Sequence, residues 1–264
     1  MHPIAFNLGS LSIHWYGVMV ALGFVLGLWL AGRRGLREGV PPERVTDLGT
    51  WLIVGTLVGA RTLYVVSYWR EEFADQPLWE IFAIQHGGLV FYGGFIGATL
   101  AGLLFVRLKK LAFWQLADVL APSIALGSAL GRIGCLLNGC CYGRACHLPW
   151  AIRFPPDHVT QGQPVHPTEI YDSLWGFGLY LALAWLYRRK KFDGQVFVAF
   201  MAGYATLRSV TEAFRGDYDP AHRLGVFTPG QLVSLGVFAV ALFLFWWLPR
   251  RGPAARRERG ENRE

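Results

Sequence analysis

The chain has 264 residues, of which 53% are hydrophobic and 16% charged, with 11 tryptophans and a formal net charge of +7. That is more apolar than a soluble domain of this length normally is, which excludes an ordinary soluble globular protein. The charged residues gather between long apolar runs instead of lining one face of each element. The sequence therefore reads as an all-α, polytopic integral membrane protein.

Windows of about 20 apolar residues, enough to cross about 30 Å of hydrocarbon, fall near 13–31, 46–68, 88–106, 114–136, 170–187, 194–213 and 230–248. These predict seven transmembrane helices. No basic residue precedes the first run and "GRRGLR" follows it, the reverse of a secretory signal's charge order, so it is expected to stay in the mature protein. Arg33, Arg34, Arg37 and Arg44 follow the first span, Arg107, Lys109 and Lys110 the third, and Arg188, Arg189, Lys190 and Lys191 the fifth. The tail 249–264 adds six arginines, so 17 of the 25 basic residues lie at alternate span ends. The positive-inside bias puts those ends in the cytoplasm, the N-terminus outside and the C-terminus inside. The net positive charge then belongs beside anionic lipid head groups, which argues against nucleic-acid binding. Residues 1–248 are expected to form one membrane-embedded domain without internal repeats, with an ordered outer loop at about 138–169 and a basic cytoplasmic tail at 249–264.

Eight basic residues fall outside this pattern: Arg61, Arg70, Arg132, Arg144, Arg153, Arg208, Arg215 and Arg223. Arg61, Arg132 and Arg208 lie inside predicted spans, where a charge costs at least about 2.5–3.5 kcal/mol and usually faces a polar cavity. Arg61 is 15 residues beyond Thr46, Arg208 is 14 beyond Gly194 and Arg132 is 18 beyond Trp114. At about 1.5 Å of rise per residue all three reach the outer half of the membrane. Tyr16 and Tyr92 lie within a turn or two of the same surface, with His86 just outside it. A polar cavity opening toward the outer leaflet is the expectation.

Each residue also has a plainer reading. Arg208 and Glu212, four apart on one helical face, make an ion pair that only fixes packing. Arg132, near a helix end, snorkels to the interface. Tyr16 beside Trp15 belongs to an aromatic belt, and Arg61 pairs with Glu80 or another acid. The two Gly-Gly pairs in "HGGLVFYGG" serve either a sharp turn and close backbone approach or plain helix packing.

"GRIGCLLNGCCYG" at 131–143, with "HWYG" at 14–17, "HGGLVFYGGFIG" at 86–97, "HPTEIYD" at 166–172 and "LRSVTEAFR" at 207–215, resembles the phosphatidylglycerol–prolipoprotein diacylglyceryl transferase family, in order and over about residues 14–245. The resemblance implies a reaction at the outer face of the bacterial inner membrane. The diacylglyceryl group of phosphatidylglycerol moves to the thiol of the lipobox cysteine in a prolipoprotein signal peptide, and glycerol phosphate is released. It also implies seven membrane helices with the N-terminus outside, and no cofactor.

In that reaction a thiolate attacks an sp3 carbon while phosphate leaves, so fixed guanidinium groups suit the growing negative charge. Arg132 and Arg208 match the family's arginine positions and are the expected phosphate clamp, with Glu212 orienting Arg208. Where the best-known members have a histidine before the second Gly-Gly pair, this chain has Tyr92, a poor base at neutral pH. His86 is the alternative imidazole. Tyr16, Asn138, Gly143, Arg61 and His166 are further candidates for substrate contact. The plainer reading of Asn138 is the helix end at Gly139, and that of His166 is a loop anchor.

Cys135 and Cys140 replace residues that are often Asn and an acid in the family signature. With Cys141 and Cys146 they leave three alternatives open, a structural disulfide, free thiols or a metal site, although the spacing lacks the two-residue-spaced pairs typical of zinc. No metal is required by the reaction. Two rival functions remain: a small transporter for an anionic solute, which lacks a visible inverted repeat, and a thiol–disulfide enzyme, which lacks a CxxC pair.

Overall fold

A computed structural model describes residues 3–9, 11–74, 76–83, 87–216 and 227–251. Seven long helices dominate these residues: α1 (Trp15–Gly35), α2 (Pro42–Ser67), α3 (Phe91–Leu108), α4 (Phe113–Asn138), α5 (Thr168–Tyr187), α6 (Gln195–Glu212) and α7 (Pro229–Trp247). Of these, α1, α2, α3, α4 and α7 are long and apolar enough to cross a membrane. The other two carry Glu169 and Asp172 in α5, and Arg208 and Glu212 in α6. The chain is a mostly helical, polytopic membrane protein. Large apolar side chains such as Val25, Trp29, Leu100, Leu181, Trp185 and Leu242 stand on the exterior, as lipid-facing residues do.

Each predicted span holds one helix, and the boundary differences have local causes. Residues Ile4–Leu8 (β1) and Leu11–His14 (β2) pair as an antiparallel hairpin around Gly9, whose φ is +62°, so α1 begins at Trp15 and not at residue 13. Pro41 and Pro42 start α2 four residues before the expected span, with a proline at the helix's first turn where no amide donor is lost. Gly87 and Gly88 have φ of +88° and +76°, which no right-handed helix contains, so α3 starts only at Phe91.

The chain divides into two compact units, residues 32–116 and residues 1–31 with 117–264. In the first, α2 and α3 pack through small residues. A Cβ on Gly59 would strike the backbone of Gly93, and one on Gly97 the backbone of Gly55. Gly55/Gly59 and Gly93/Gly97 are each four apart, the spacing by which membrane helices bring their backbones together. The two Gly-Gly pairs thus divide the alternatives: Gly87–Gly88 makes the turn, and Gly93–Gly94 the helix contact.

In the second unit α4 is the central helix, with 44% of its apolar window buried against 17–22% in the other apolar helices. It receives α1 at Gly23, where a Cβ would lie 3.2 Å from the Gly127 Cα, and α5 at Gly176, where a Cβ would lie 2.9 Å from that of Ala129. Near the start of α4, Asp118 is fully buried and caps α6. It accepts from the Gly194, Val196 and Phe197 amides at 2.9 Å each and from Lys190 Nζ at 3.2 Å. A carboxylate on the free amides of a helix N-terminus is charge-complementary, so this intramembrane acid is fully used in holding α6 to α4. The basic tail lies largely outside the described residues, from 252 onward.

Candidate active site

The crossing of α4 and α5 positions the first arginine. Ala129 lies three residues before Arg132, and Gly176 four residues after Asp172, so the close contact between them stacks Arg132 against Asp172 one turn further along. Arg132 Nη1 lies 3.1 Å from Asp172 Oδ2, with side-chain exposures of 19% and 12%. Arg132 is thus paired with an acid of the neighbouring helix, a partner that snorkelling does not call for.

The second arginine is set by α6 and α7. Arg208 Nη2 lies 2.7 Å from Glu212 Oε2, and the Glu212 side chain is 0% exposed. Glu212 Oε1 accepts from Thr228 Oγ1 at 3.2 Å. Thr228 also caps α7, its hydroxyl accepting from the Gln231 amide while the Gln231 side chain accepts from the Thr228 amide. A side chain at Gly230 would strike the Glu212 carboxylate, with Oε1 2.6 Å from its Cβ. The acid is therefore locked by a helix cap before it holds its arginine.

Arg132, Asp172 and Arg208 line one narrow cleft together with Tyr204, and Trp175 and Leu179 supply part of its apolar wall. Two guanidinium groups, each held by its own carboxylate, thus face one space with both polar and greasy walls. Such an arrangement suits an anionic group beside apolar chains. Tyr16, half-exposed, packs its ring and backbone on Gly134, two residues beyond Arg132.

The remaining candidates in this unit lie in the loop after α4. Asn138 is the last helical residue, followed by Gly139 with φ +76°, the left-handed helix end expected there. Gly143 is wedged between two backbones: its amide donates to the His166 carbonyl at 3.0 Å, and a Cβ would lie 2.5 Å from that of His166 and 2.9 Å from the Phe214 carbonyl. His166 Nδ1 lies 3.3 Å from the Tyr171 hydroxyl, which accepts from Trp150 Nε1 at 2.8 Å. These contacts give Gly143 and His166 roles in anchoring the loop. His158 does the same on the other side, with Nε2 2.7 Å from the Gly139 carbonyl and its ring stacked on Phe154 at 4.4 Å.

All four cysteines are free thiols, so the disulfide alternative is not realised. Cys135, Cys140 and Cys141 bring their sulfurs within 4.8 Å of one another, whereas Cys146 is buried apart from them. Hydrogen bonds from Cys135 and Cys140, helped by Arg215 and Arg132, pull the Cys141 thiol below its ordinary range.

In the other unit, Arg61 is 8% exposed and donates to four backbone carbonyls: Nε to Ile81 at 2.8 Å, Nη2 to Glu80 at 2.7 Å, and Nη1 to Gly87 and Gly88 at 2.8 and 3.2 Å. The rings of Tyr64 and Phe73 flank it at 5.6 and 5.4 Å. The partner expected in the Glu80 carboxylate includes the Glu80 carbonyl, and Arg61 functions here as a clamp on the 80–88 segment. Tyr92, in the first turn of α3, is 71% exposed with its ring edge-on to Phe91 at 5.8 Å. His86 lies outside the described residues.

Sequence reasoning did not single out Asp172 or Tyr204. An acid inside a predicted span carries the same cost as a base, and Asp172, at the end of the HPTEIYD stretch, is legible on that ground. Tyr204 gives no such signal, because an aromatic in a membrane helix is equally a lipid-facing residue.

A family profile described as prolipoprotein diacylglyceryl transferase matches residues 3–247. The phosphatidylglycerol–prolipoprotein diacylglyceryl transferase of Geobacter sulfurreducens is 38% identical over 258 residues, covering 94% of this chain and 96% of its own length. The proteins of the same name from Legionella pneumophila strain Philadelphia 1 and Synechococcus elongatus are each 36% identical, covering 95% and 93% of this chain and 98% and 87% of their own lengths.

Proposed function

The chain belongs to the prolipoprotein diacylglyceryl transferase family, and from that premise we propose how its residues carry out the transfer. It is a transferase that moves diacylglyceryl from phosphatidylglycerol to the cysteine thiol of a prolipoprotein. The incoming sulfur forms a bond to the lipid's glycerol carbon, the carbon–oxygen bond to phosphate breaks, and glycerol phosphate leaves with the negative charge. The thiol loses its proton to a base; Tyr92 is a poor base at neutral pH, and the sequence pattern offers His86 as the alternative imidazole. His86→Ala with undiminished transfer removes His86 from that role.

The observation that carries this reading is the pairing of Arg132 and Arg208, each fixed by its own acid, along one cleft. Guanidinium groups already oriented stabilise the departing phosphate without reorganising as the charge develops. On this reading Tyr16, beside Gly134, and Asn138, at the end of α4, contact the lipid at the same end of that helix.

Seven helices and basic residues at alternate ends support seven spans with the N-terminus outside. Under this reading residues 1–248 work as one catalytic domain in the bacterial inner membrane, the cleft serves the outer leaflet, and 249–264 is a cytoplasmic tail. The test is transfer of labelled diacylglyceryl from phosphatidylglycerol to a lipobox peptide. Arg132→Ala and Arg208→Ala should each slow transfer about a hundredfold or more. Absent product with the wild type, or unimpaired product with both variants, sinks the proposal.

A further inference from the structure

The three-cysteine cluster beyond Arg132 has no part in the transfer reaction, since the peptide substrate brings its own thiol. Its geometry is nonetheless built. Cys135 sits in the last turn of α4, and Cys140 and Cys141 follow the left-handed Gly139. The Cys140 amide donates to the Cys135 carbonyl at 3.1 Å, closing the turn back on the helix. Adjacent side chains of an extended chain point to opposite sides. Here Cys140 and Cys141 share one side, and Cys141 has φ +72°, a left-handed conformation that costs a non-glycine residue about 1 kcal/mol or more.

The turn is held from outside as well. Thr168 Oγ1 donates to the Cys141 carbonyl at 2.6 Å, and the Gly139 carbonyl meets His158 Nε2 at 2.7 Å. The residue after Thr168 is Glu169, whose side chain is 0% exposed, and neither of its carboxylate oxygens has a hydrogen-bond partner outside its own residue. Buried carboxylates are normally hydrogen-bonded, paired or ligated to a cation, so an orphan acid one residue from the Thr168 that holds the Cys141 carbonyl is a second pointer to positive charge at this turn.

We propose that Cys135, Cys140 and Cys141 bind one thiophilic d10 cation, Zn²⁺ or Cu⁺, through their three sulfurs. Sulfurs about 2.3 Å from a trigonal centre are about 4 Å from each other, so sulfurs already within 4.8 Å need to move by less than about 1 Å. Soft thiolates favour these two ions over magnesium or calcium. The three thiols are partly exposed, which leaves an entry path, and their protons pass to solvent as the ion binds. The buried Cys146 stays outside the site.

The test uses the full chain in detergent micelles with reductant, titrated with Zn²⁺ against a chromophoric chelator and with Cu⁺ against a Cu⁺-selective one. One equivalent should bind, at least tenfold tighter than in Cys140→Ser or Cys141→Ser, and Cys146→Ser should match the wild type. X-ray absorption should show three sulfur neighbours at about 2.3 Å. Binding that is absent, or equal in Cys140→Ser, overturns the site. So does a disulfide among the three in protein isolated from membranes, read as two missing thiols. The readout is metal stoichiometry, so its failure leaves the transfer reaction standing.

Discussion

Arg61 and Arg132 are both arginines in apolar helices, and they use their donors differently. Arg61 is 8% exposed and gives its guanidinium to four backbone carbonyls between two aromatic rings. Arg132 is pinned by one carboxylate, Asp172, and lines a cleft, and Arg208 repeats that pattern with Glu212. A guanidinium that gives four of its five N–H donors to carbonyls is first of all a structural clamp. One oriented from behind by an acid in a cleft with apolar walls is, on the proposed reading, the group that meets the phosphate of a lipid.

Substitutions in the two regions should separate in kind. Arg61→Ala leaves four carbonyls without their donor and should lower unfolding stability by about 3 kcal/mol, read as an earlier melting transition in detergent, while the surviving folded protein keeps its rate per molecule. Glu212→Gln keeps the shape of the site but frees Arg208 to swing; transfer should drop about tenfold to a hundredfold, with the melting transition moving far less. If Glu212→Gln instead unfolds the protein at unchanged specific rate, the packing reading of the Arg208–Glu212 pair wins.

Gly176→Ala inserts a methyl 2.9 Å from the Ala129 Cβ. It should cost about 1–2 kcal/mol and slow transfer too, because the same contact brings Arg132 to Asp172. A stability loss without a rate loss would show that this crossing does not set the arginine. The smallest effect belongs to Thr228→Val, which loses an N-cap worth about 1 kcal/mol and the hydroxyl on Glu212. A few-fold rate loss is expected, and none at all would confine Thr228 to capping α7.

Much of this was readable from residue order. Seven apolar runs gave seven helices because hydropathy over about 20 residues is a strong signal. The errors lie where a local conformation intervened, at the β1–β2 hairpin before Trp15 and at Gly87–Gly88 before Phe91. Arg132 and Arg208 stood out because a charge in an apolar run is costly. Asp172 is 40 residues from Arg132, and its pairing depends on a helix crossing at Ala129 and Gly176 that no local pattern encodes. The cysteine cluster was hidden for a similar reason: its convergence needs two left-handed residues, and spacing alone does not distinguish that turn from an open loop.

The central claim is that a guanidinium at position 132 acts on the lipid phosphate. The direct measurement is diacylglyceryl transfer by purified Arg132→Ala with and without added guanidinium ion. Transfer should rise with guanidinium concentration and stay flat in sodium chloride of equal ionic strength. An Arg132→Ala enzyme as fast as the wild type, or one that responds to both salts alike, would contradict the account.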